Sequence, residues 1–196
     1  MTDPDLLAAL GPVLDLLREL GVRHYIGGSI ASSAHGVARA SIDVDIVVEL
    51  GPEHSERLSQ ALRDGYYVPE ARVRDAVARR TSFNLIHLET MVKVDVFVSK
   101  GRPFDRRAME RVRLEPAGSA GERPLPLASA EDVVLAKLEW FRRGGEVSER
   151  QWTDVLGVLR ASGASIDVAY LDQGARELEV ADLMARALHE AGTAPV

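Results

Sequence analysis

Residues 22–48 read VRHYIGGSIASSAHGVARASIDVDIVV. The apolar segment at residues 22–26 runs directly into Gly27-Gly28-Ser29. This pattern predicts a short strand, a tight turn and then a brief helix over residues 29–35. The β-branched residues at 44–48 predict a second strand. Strands that alternate with a helix in this way favour a mixed α/β fold.

Three acidic residues lie in or beside predicted strands. Asp43 and Asp45 flank Val44, and alternate side chains of a strand share one face about 6.5–7 Å apart. Asp95 interrupts the valines of VKVDVFV, residues 92–98, and is expected to point away from them. Carboxylates this close repel one another unless a cation lies between them. If the two strands are neighbours, the three acids form a set of oxygen ligands suited to Mg²⁺ or Mn²⁺.

The glycine pair predicts a phosphate-binding turn. Glycines let backbone N–H groups come close to a phosphate, and the following helix N-terminus adds partial positive charge. Gly27-x-Ser29-x-Ala31 also has the spacing of a nucleophile elbow, but no histidine is placed to act as its base. A metal site beside a phosphate-binding turn is typical of phosphoryl or nucleotidyl transfer.

The remaining patterns divide the chain into an α/β core at residues 1–115, a linker at 116–128 and a helical region at 129–196. Core helices are predicted over residues 5–20, 52–64 and 70–80, and neighbouring strands at 83–88 and 92–98. Prolines and glycines interrupt the linker. Helical spacing recurs at residues 130–143, 148–162 and 167–190, and Ser129 with Asp132 predicts a capped helix start.

Composition narrows the classes of function. The chain has 196 residues and no cysteine, which excludes thiol nucleophiles, cysteine zinc sites and disulfides. No apolar run is long enough to cross a membrane, and the acidic N-terminus is unlike a signal peptide, so we expect a cytoplasmic protein. The net charge is −6, yet residues 71–113 carry 11 basic and 5 acidic side chains. This basic segment either binds a polyanion such as an RNA end or places its arginines on solvated helix faces.

In these motifs the chain resembles the nucleotidyltransferase superfamily that includes DNA polymerase β. The matching elements are Gly27-Gly28-Ser29, the segment from Arg39 to Asp45, and Val94-Asp95-Val96. Residues 25–46 and the helical region, with Lys137 and Asp154, are similar to a small bacterial branch related to abortive-infection-type toxins. The resemblance implies an α/β (α+β) fold, in which a mixed sheet with flanking helices is followed by a C-terminal helical region that closes the cleft.

The resemblance also implies a role for each matching residue. Asp43 and Asp45 would bind two Mg²⁺ or Mn²⁺ ions, and Asp95 would share one metal and help to activate an acceptor hydroxyl. All three would be catalytic.

The nucleotide, with ATP as one candidate, would be bound by a second set of residues. Gly28 and Ser29 would hold the β- and γ-phosphates, and Lys137 would reach a phosphate from the helical region. Gly27 and Arg39 would also bind the nucleotide.

The predicted function is metal-dependent transfer of a nucleoside monophosphate from an NTP to an acceptor hydroxyl, with release of pyrophosphate. One alternative is a toxin-type transferase of a toxin–antitoxin pair that acts on RNA ends. The other is a non-catalytic nucleotide-binding protein that works with a partner protein.

Overall fold

Seven strands form one mixed sheet in the part of the chain that the computed structural model describes, residues 4–36, 43–116 and 124–193. The strands are β1 (His24–Ile26), β2 (Asp43–Val48), β3 (Tyr66–Tyr67), β4 (Ser82–His87), β5 (Lys93–Val98), β6 (Arg113–Glu115) and β7 (Leu125–Leu127). Their order across the sheet is β3-β4-β5-β2-β1-β7-β6.

Helices occupy most of the other described residues. They are α1 (Pro4–Glu19), α2 (Gly28–His35), α3 (Pro52–Leu62), α4 (Glu70–Arg79), α5 (Pro103–Glu110), α6 (Ala130–Arg143), α7 (Glu149–Ser162), α8 (Val168–Glu177) and α9 (Ala181–Ala191). None of these helices has the length and hydropathy of a membrane span.

The two central strands run parallel, because β2 pairs with β5 from Asp43↔Lys93 through Val48↔Val98. β1 is antiparallel to β2, and β4 is antiparallel to β5. The predicted strands at residues 83–88 and 92–98 are therefore neighbours, as expected, and the strands that carry the three acids are also neighbours.

One face of the sheet is covered and the other is more open. Even-numbered residues of β2 and β5, such as Val44, Ile46, Val94 and Val96, are fully buried, and α1 packs against both strands. The residues between them in sequence are only half-buried or exposed. We call the face that carries these odd-numbered residues the open face. The alternation of valine with polar residues explains why the chain forms strands here.

The chain divides into two compact units, Met1–Ser29 with Ala40–Leu127 and Ile30–Arg39 with Ala128–Val196. The first contains the sheet with α1, α3, α4 and α5, and the second contains α6 to α9. The division at Leu127 falls within the predicted linker, and β7 also lies there, paired with β1 and β6. The predicted domain bounds and the closing of a cleft by the helical region stay predictions.

The segment at residues 167–190, for which helical spacing was predicted, is helical but is interrupted once. Two helices, α8 and α9, occupy this segment, and Glu179 between them has a positive φ of 59°. A left-handed residue ends an α-helix, because the following N–H groups then turn back to the last carbonyls. The predicted cap of α6 is confirmed, since Ser129 Oγ accepts a hydrogen bond from the Asp132 N–H.

Candidate active site

The three predicted acids share the open face of the sheet. In the parallel β2–β5 pair, Asp45 lies opposite Asp95, and Asp43 lies opposite Lys93. Neighbouring strands are about 4.8 Å apart, so directly opposed side chains can reach one another. The structure thus brings Asp45 and Asp95 side by side, with Asp43 two residues along the same strand.

A lysine that the sequence analysis did not single out lies among these acids. Lys93 Nζ is 2.8 Å from Asp95 Oδ2 and 3.9 Å from Asp43 Oδ2. The hydrogen bond to Asp95 raises the pKa of Lys93, and the charges of Asp95, Asp43 and Asp45 raise it further against an opposing effect of burial. Lys93 therefore carries a positive charge at neutral pH.

Asp95 is held from the other side by Asn84. The two residues are opposite each other in the antiparallel β4–β5 pair, and the Asn84 side-chain amide donates a hydrogen bond to Asp95 Oδ1. The Asp95 side chain is 16% exposed, whereas that of Asp43 is 52% exposed. Asp95 is thus the more fixed carboxylate and Asp43 the more solvated one.

The donor chemistry of the three carboxylates fits a divalent cation such as Mg²⁺ or Mn²⁺. Within residues 4–36, 43–116 and 124–193, however, no three His, Asp or Glu side chains are grouped closely enough to hold a metal ion. The two oxygens of Asp95 contact Lys93 and Asn84. The residue types and their shared face therefore fit a metal, and binding would require the carboxylates to turn toward it.

The glycine turn lies directly against Asp45. The Gly27 N–H donates to the Asp45 carbonyl oxygen at 2.9 Å, and Gly28 has a positive φ of 55°. A Cβ at Gly28 would lie 1.7 Å from Asp45 Oδ2 and 2.8 Å from Asp45 Cβ. Only glycine fits this position, because both the backbone angle and the close approach exclude a side chain. Ser29, the next residue of α2, is buried.

Two further residues, Arg39 and Lys137, were predicted to bind the nucleotide. Arg39 lies outside the described residues. Lys137 is a buried residue of α6 in the helical unit, and its Nζ is 2.8 Å from Asp154 Oδ2. Its predicted contact with a phosphate stays a prediction.

The open face continues past the acids with apolar side chains. Ile86 lies opposite Lys93, and Tyr67 of the edge strand β3 lies opposite Ile86. Tyr67 and the nearby Met91 are exposed by more than half. One row of side chains therefore crosses β2, β5, β4 and β3 in turn. The row is charged at Asp43 and Lys93 and apolar at Ile86 and Tyr67.

The basic segment is spread over several elements. Arg106 and Arg107 lie on α5, which follows β5, and Asp95 is in the middle of that strand. Val98 is three positions after Asp95, a rise of about 10 Å along the strand. The Arg106 guanidinium donates to the Gly101 carbonyl oxygen.

Comparison with solved structures identifies the fold. No protein-family model matches the sequence, and no curated protein is significantly similar to it. The solution structure of the antibiotic-resistance factor ANT(2'')-Ia matches with a TM-score of 0.59 and 15% identity, over 96% of this chain and 99% of that one. A crystal structure of ANT(2'')-Ia in complex with adenylyl-2''-tobramycin matches with a TM-score of 0.56 and 12% identity, over 88% and 96%.

A third match extends the comparison to a fungal protein. An antigenic nucleotidyltransferase-like protein from Paracoccidioides brasiliensis has a TM-score of 0.51 and 17% identity, over 91% of this chain and 92% of that one. The likeness covers nearly the whole of each chain, and it shows that this protein has a nucleotidyltransferase fold. The predicted α/β fold class is thereby confirmed.

Proposed function

We propose that this protein is a metal-dependent nucleotidyltransferase that moves a nucleoside monophosphate from an NTP to an acceptor hydroxyl. The observation that carries the proposal is that β2, β5 and the start of α2 meet on the open face. Asp45 lies opposite Asp95 on the neighbouring strand, and Gly28 approaches Asp45 so closely that no side chain fits between them. Acidic ligands beside a glycine turn at a helix start are what a metal-bound triphosphate requires.

Asp43, Asp45 and Asp95 would hold the cation, which supplies charge neutralisation and polarises the α-phosphate. Asp95 would also accept a hydrogen bond from the acceptor hydroxyl and take its proton. The acceptor oxygen then forms a bond to the α-phosphorus, the bond from that phosphorus to the bridging oxygen breaks, and pyrophosphate leaves.

The phosphates beyond the reacting one would lie at the start of α2. The N–H groups of Gly28 and Ser29 would bind the β- and γ-phosphates, supported by the positive end of the helix. Arg39 and Lys137 complete the proposed nucleotide-binding set.

The acceptor that fits this site best is a small molecule with a free hydroxyl. ANT(2'')-Ia, which shares the fold, binds adenylyl-2''-tobramycin, an adenylylated small molecule. The apolar end of the open face, at Ile86 and Tyr67, would suit the carbon skeleton of such an acceptor.

An RNA end is the second candidate acceptor, as expected for a toxin-type transferase, and the charge of residues 71–113 favours it.

Labelled nucleotides test the proposed reaction. Each NTP, labelled at either the α- or the γ-phosphate, is incubated with Mg²⁺ and a panel of hydroxyl-bearing small molecules and short RNAs. We expect the α-label to move to an acceptor while the γ-label appears in pyrophosphate. Asp45→Asn should abolish transfer, whereas Asp64→Asn, which changes the charge equally at an exposed turn, should not.

Two results would contradict the proposal. Movement of the γ-label to the acceptor would indicate a kinase. Metal-dependent NTP binding without transfer to any acceptor of the panel would favour the non-catalytic nucleotide-binding protein.

A further inference from the structure

We propose that Lys93 is an internal counter-cation that competes with the divalent ion for the carboxylates of Asp95 and Asp43. The proposal rests on the proposed function, since it assumes that these carboxylates bind a metal. It adds a residue that sets how tightly the site binds that metal.

The position of Lys93 in the sheet brings its ammonium group close to two of the three acids. Its Nζ lies within hydrogen-bonding distance of Asp95, at 2.8 Å, and within ion-pair distance of Asp43, at 3.9 Å. It lies opposite Asp43 and two residues before Asp95 on the same strand, so all three side chains emerge on the open face. One ammonium group thereby links two of the three proposed metal ligands.

The charges of this cluster explain why a cation is needed there. Three carboxylates on one face repel one another, and a positive charge among them offsets part of that repulsion. A lysine provides that charge as a compact group on a flexible chain. The Lys93 side chain is 40% exposed, so it can leave the acids and reach solvent without displacing the core.

Metal binding must therefore displace the ammonium group from Asp95. A divalent ion would also be repelled by a nearby positive charge, so both effects weaken its binding. In the metal-free protein, the ion pair of Lys93 with Asp95 orders the acids. Breaking this ion pair costs free energy, and that cost weakens the binding of the metal. Replacing Lys93 should thus tighten metal binding and destabilise the metal-free protein together.

Titration of the nucleotide-free protein with Mn²⁺ tests the proposal, with binding followed by calorimetry or by the electron paramagnetic resonance of free Mn²⁺. We expect Lys93→Met to lower the Kd for Mn²⁺ by about three- to tenfold relative to the native chain. Lys93→Arg, which keeps the charge, should stay close to the native value. Lys100→Met is the matched control, because it removes one positive charge from an exposed site just after the same strand.

The melting temperature provides a second measurement. In EDTA, Lys93→Met should melt at a lower temperature than Lys100→Met, and excess Mn²⁺ should raise its melting temperature by more than that of the control. Lys93→Gln serves as a second neutral variant if Lys93→Met folds poorly.

An unchanged or weaker Kd in both neutral variants would overturn the proposal for Lys93. That failure differs from a failure of the proposed function, in which the native chain binds no Mn²⁺, or Asp45→Asn binds it as tightly as the native chain.

Discussion

At Gly28, the backbone conformation directly affects a residue of the proposed chemistry, Asp45. The positive φ of 55° at Gly28 is costly for any residue with a side chain, and the α-carbon of Gly28 faces the Asp45 carboxylate. The glycine pair was recognisable in the sequence as a turn beside a strand. Its contact with Asp45 was not, because that contact depends on the pairing of β1 with β2.

The first prediction concerns Gly28→Ala. The new methyl group should displace Asp45 and strain the backbone, which should abolish NMP transfer and lower the free energy of unfolding by about 1–3 kcal/mol. Urea unfolding and the labelled-NTP assay measure the two effects.

Gly65→Ala is the control, because a Cβ at Gly65 meets nothing within 4 Å. A Gly28→Ala variant with native stability and native transfer would show that the approach to Asp45 is not required.

The partners of Lys93 could not be predicted from its own position in the sequence. A lysine that alternates with valines in a strand is typical of a solvated sheet face, and its sequence position gives no sign of its partners. Its contact with Asp43 depends on the parallel register of β2 and β5, which are separated by 44 residues of chain between Val48 and Lys93. The acids could be singled out from the sequence, because they alternate with valines in two predicted strands and share one face if those strands are neighbours.

Among the elements, those with a clear period were predicted, whereas three of the shortest strands were not. The alternation in β2, β4 and β5 marked them as strands, and residues 52–64 and 70–80 approximate α3 and α4. β3, β6 and β7 have only two or three residues, too few to show a period. The break between α8 and α9 was missed, because it occurs at Glu179, where no Gly or Pro marks the end of a helix.

The second prediction concerns the pairing of α6 with α7. The side chains of Lys137 and Asp154 are 10% and 9% exposed, so removing the lysine would take a buried cation away from a buried carboxylate. Lys137→Met should lower the free energy of unfolding by about 3–5 kcal/mol, and Lys137→Met with Asp154→Leu should recover most of that loss.

Chemical denaturation of the single and double variants measures this difference. The comparison is Arg79→Ala, which breaks the exposed pair of Arg79 with Asp75 and should cost no more than about 1 kcal/mol. A Lys137→Met variant that loses no more than Arg79→Ala would contradict the account.

The third prediction concerns pH and the packing of α1 against β3. Burial raises the pKa of Tyr66 to about 12, and its hydroxyl donates to the Ala9 carbonyl oxygen at 2.7 Å. Between pH 10 and 12 the unfolded chain loses this proton and the folded chain keeps it. Stability should therefore be complete below pH 10 and fall by roughly 1–3 kcal/mol as the pH rises to 12.

Tyr66→Phe should remove this part of the loss of stability at alkaline pH. It should also lower the free energy of unfolding at pH 8. Unfolding curves at several pH values test the prediction, and an equal alkaline slope in Tyr66→Phe and the native chain would contradict it.

At the scale of the whole molecule, the proposed chemistry belongs mainly to one unit. The three acids, Lys93 and Gly28 all lie in the unit Met1–Ser29 with Ala40–Leu127. The helical unit adds Lys137, whose proposed role in binding a phosphate is separate from the acids.

The central claim is that the open-face acids bind a metal-bound nucleotide. Calorimetric titration of ATP, GTP, CTP and UTP into the protein, once with Mg²⁺ and once with EDTA, tests that claim most directly. We predict that at least one nucleotide binds with Mg²⁺ and not with EDTA, because the acids and the triphosphate repel each other without the cation. Asp45→Asn should lose this binding and Asp64→Asn should keep it. Equal binding in EDTA, or native affinity in Asp45→Asn, would contradict the account.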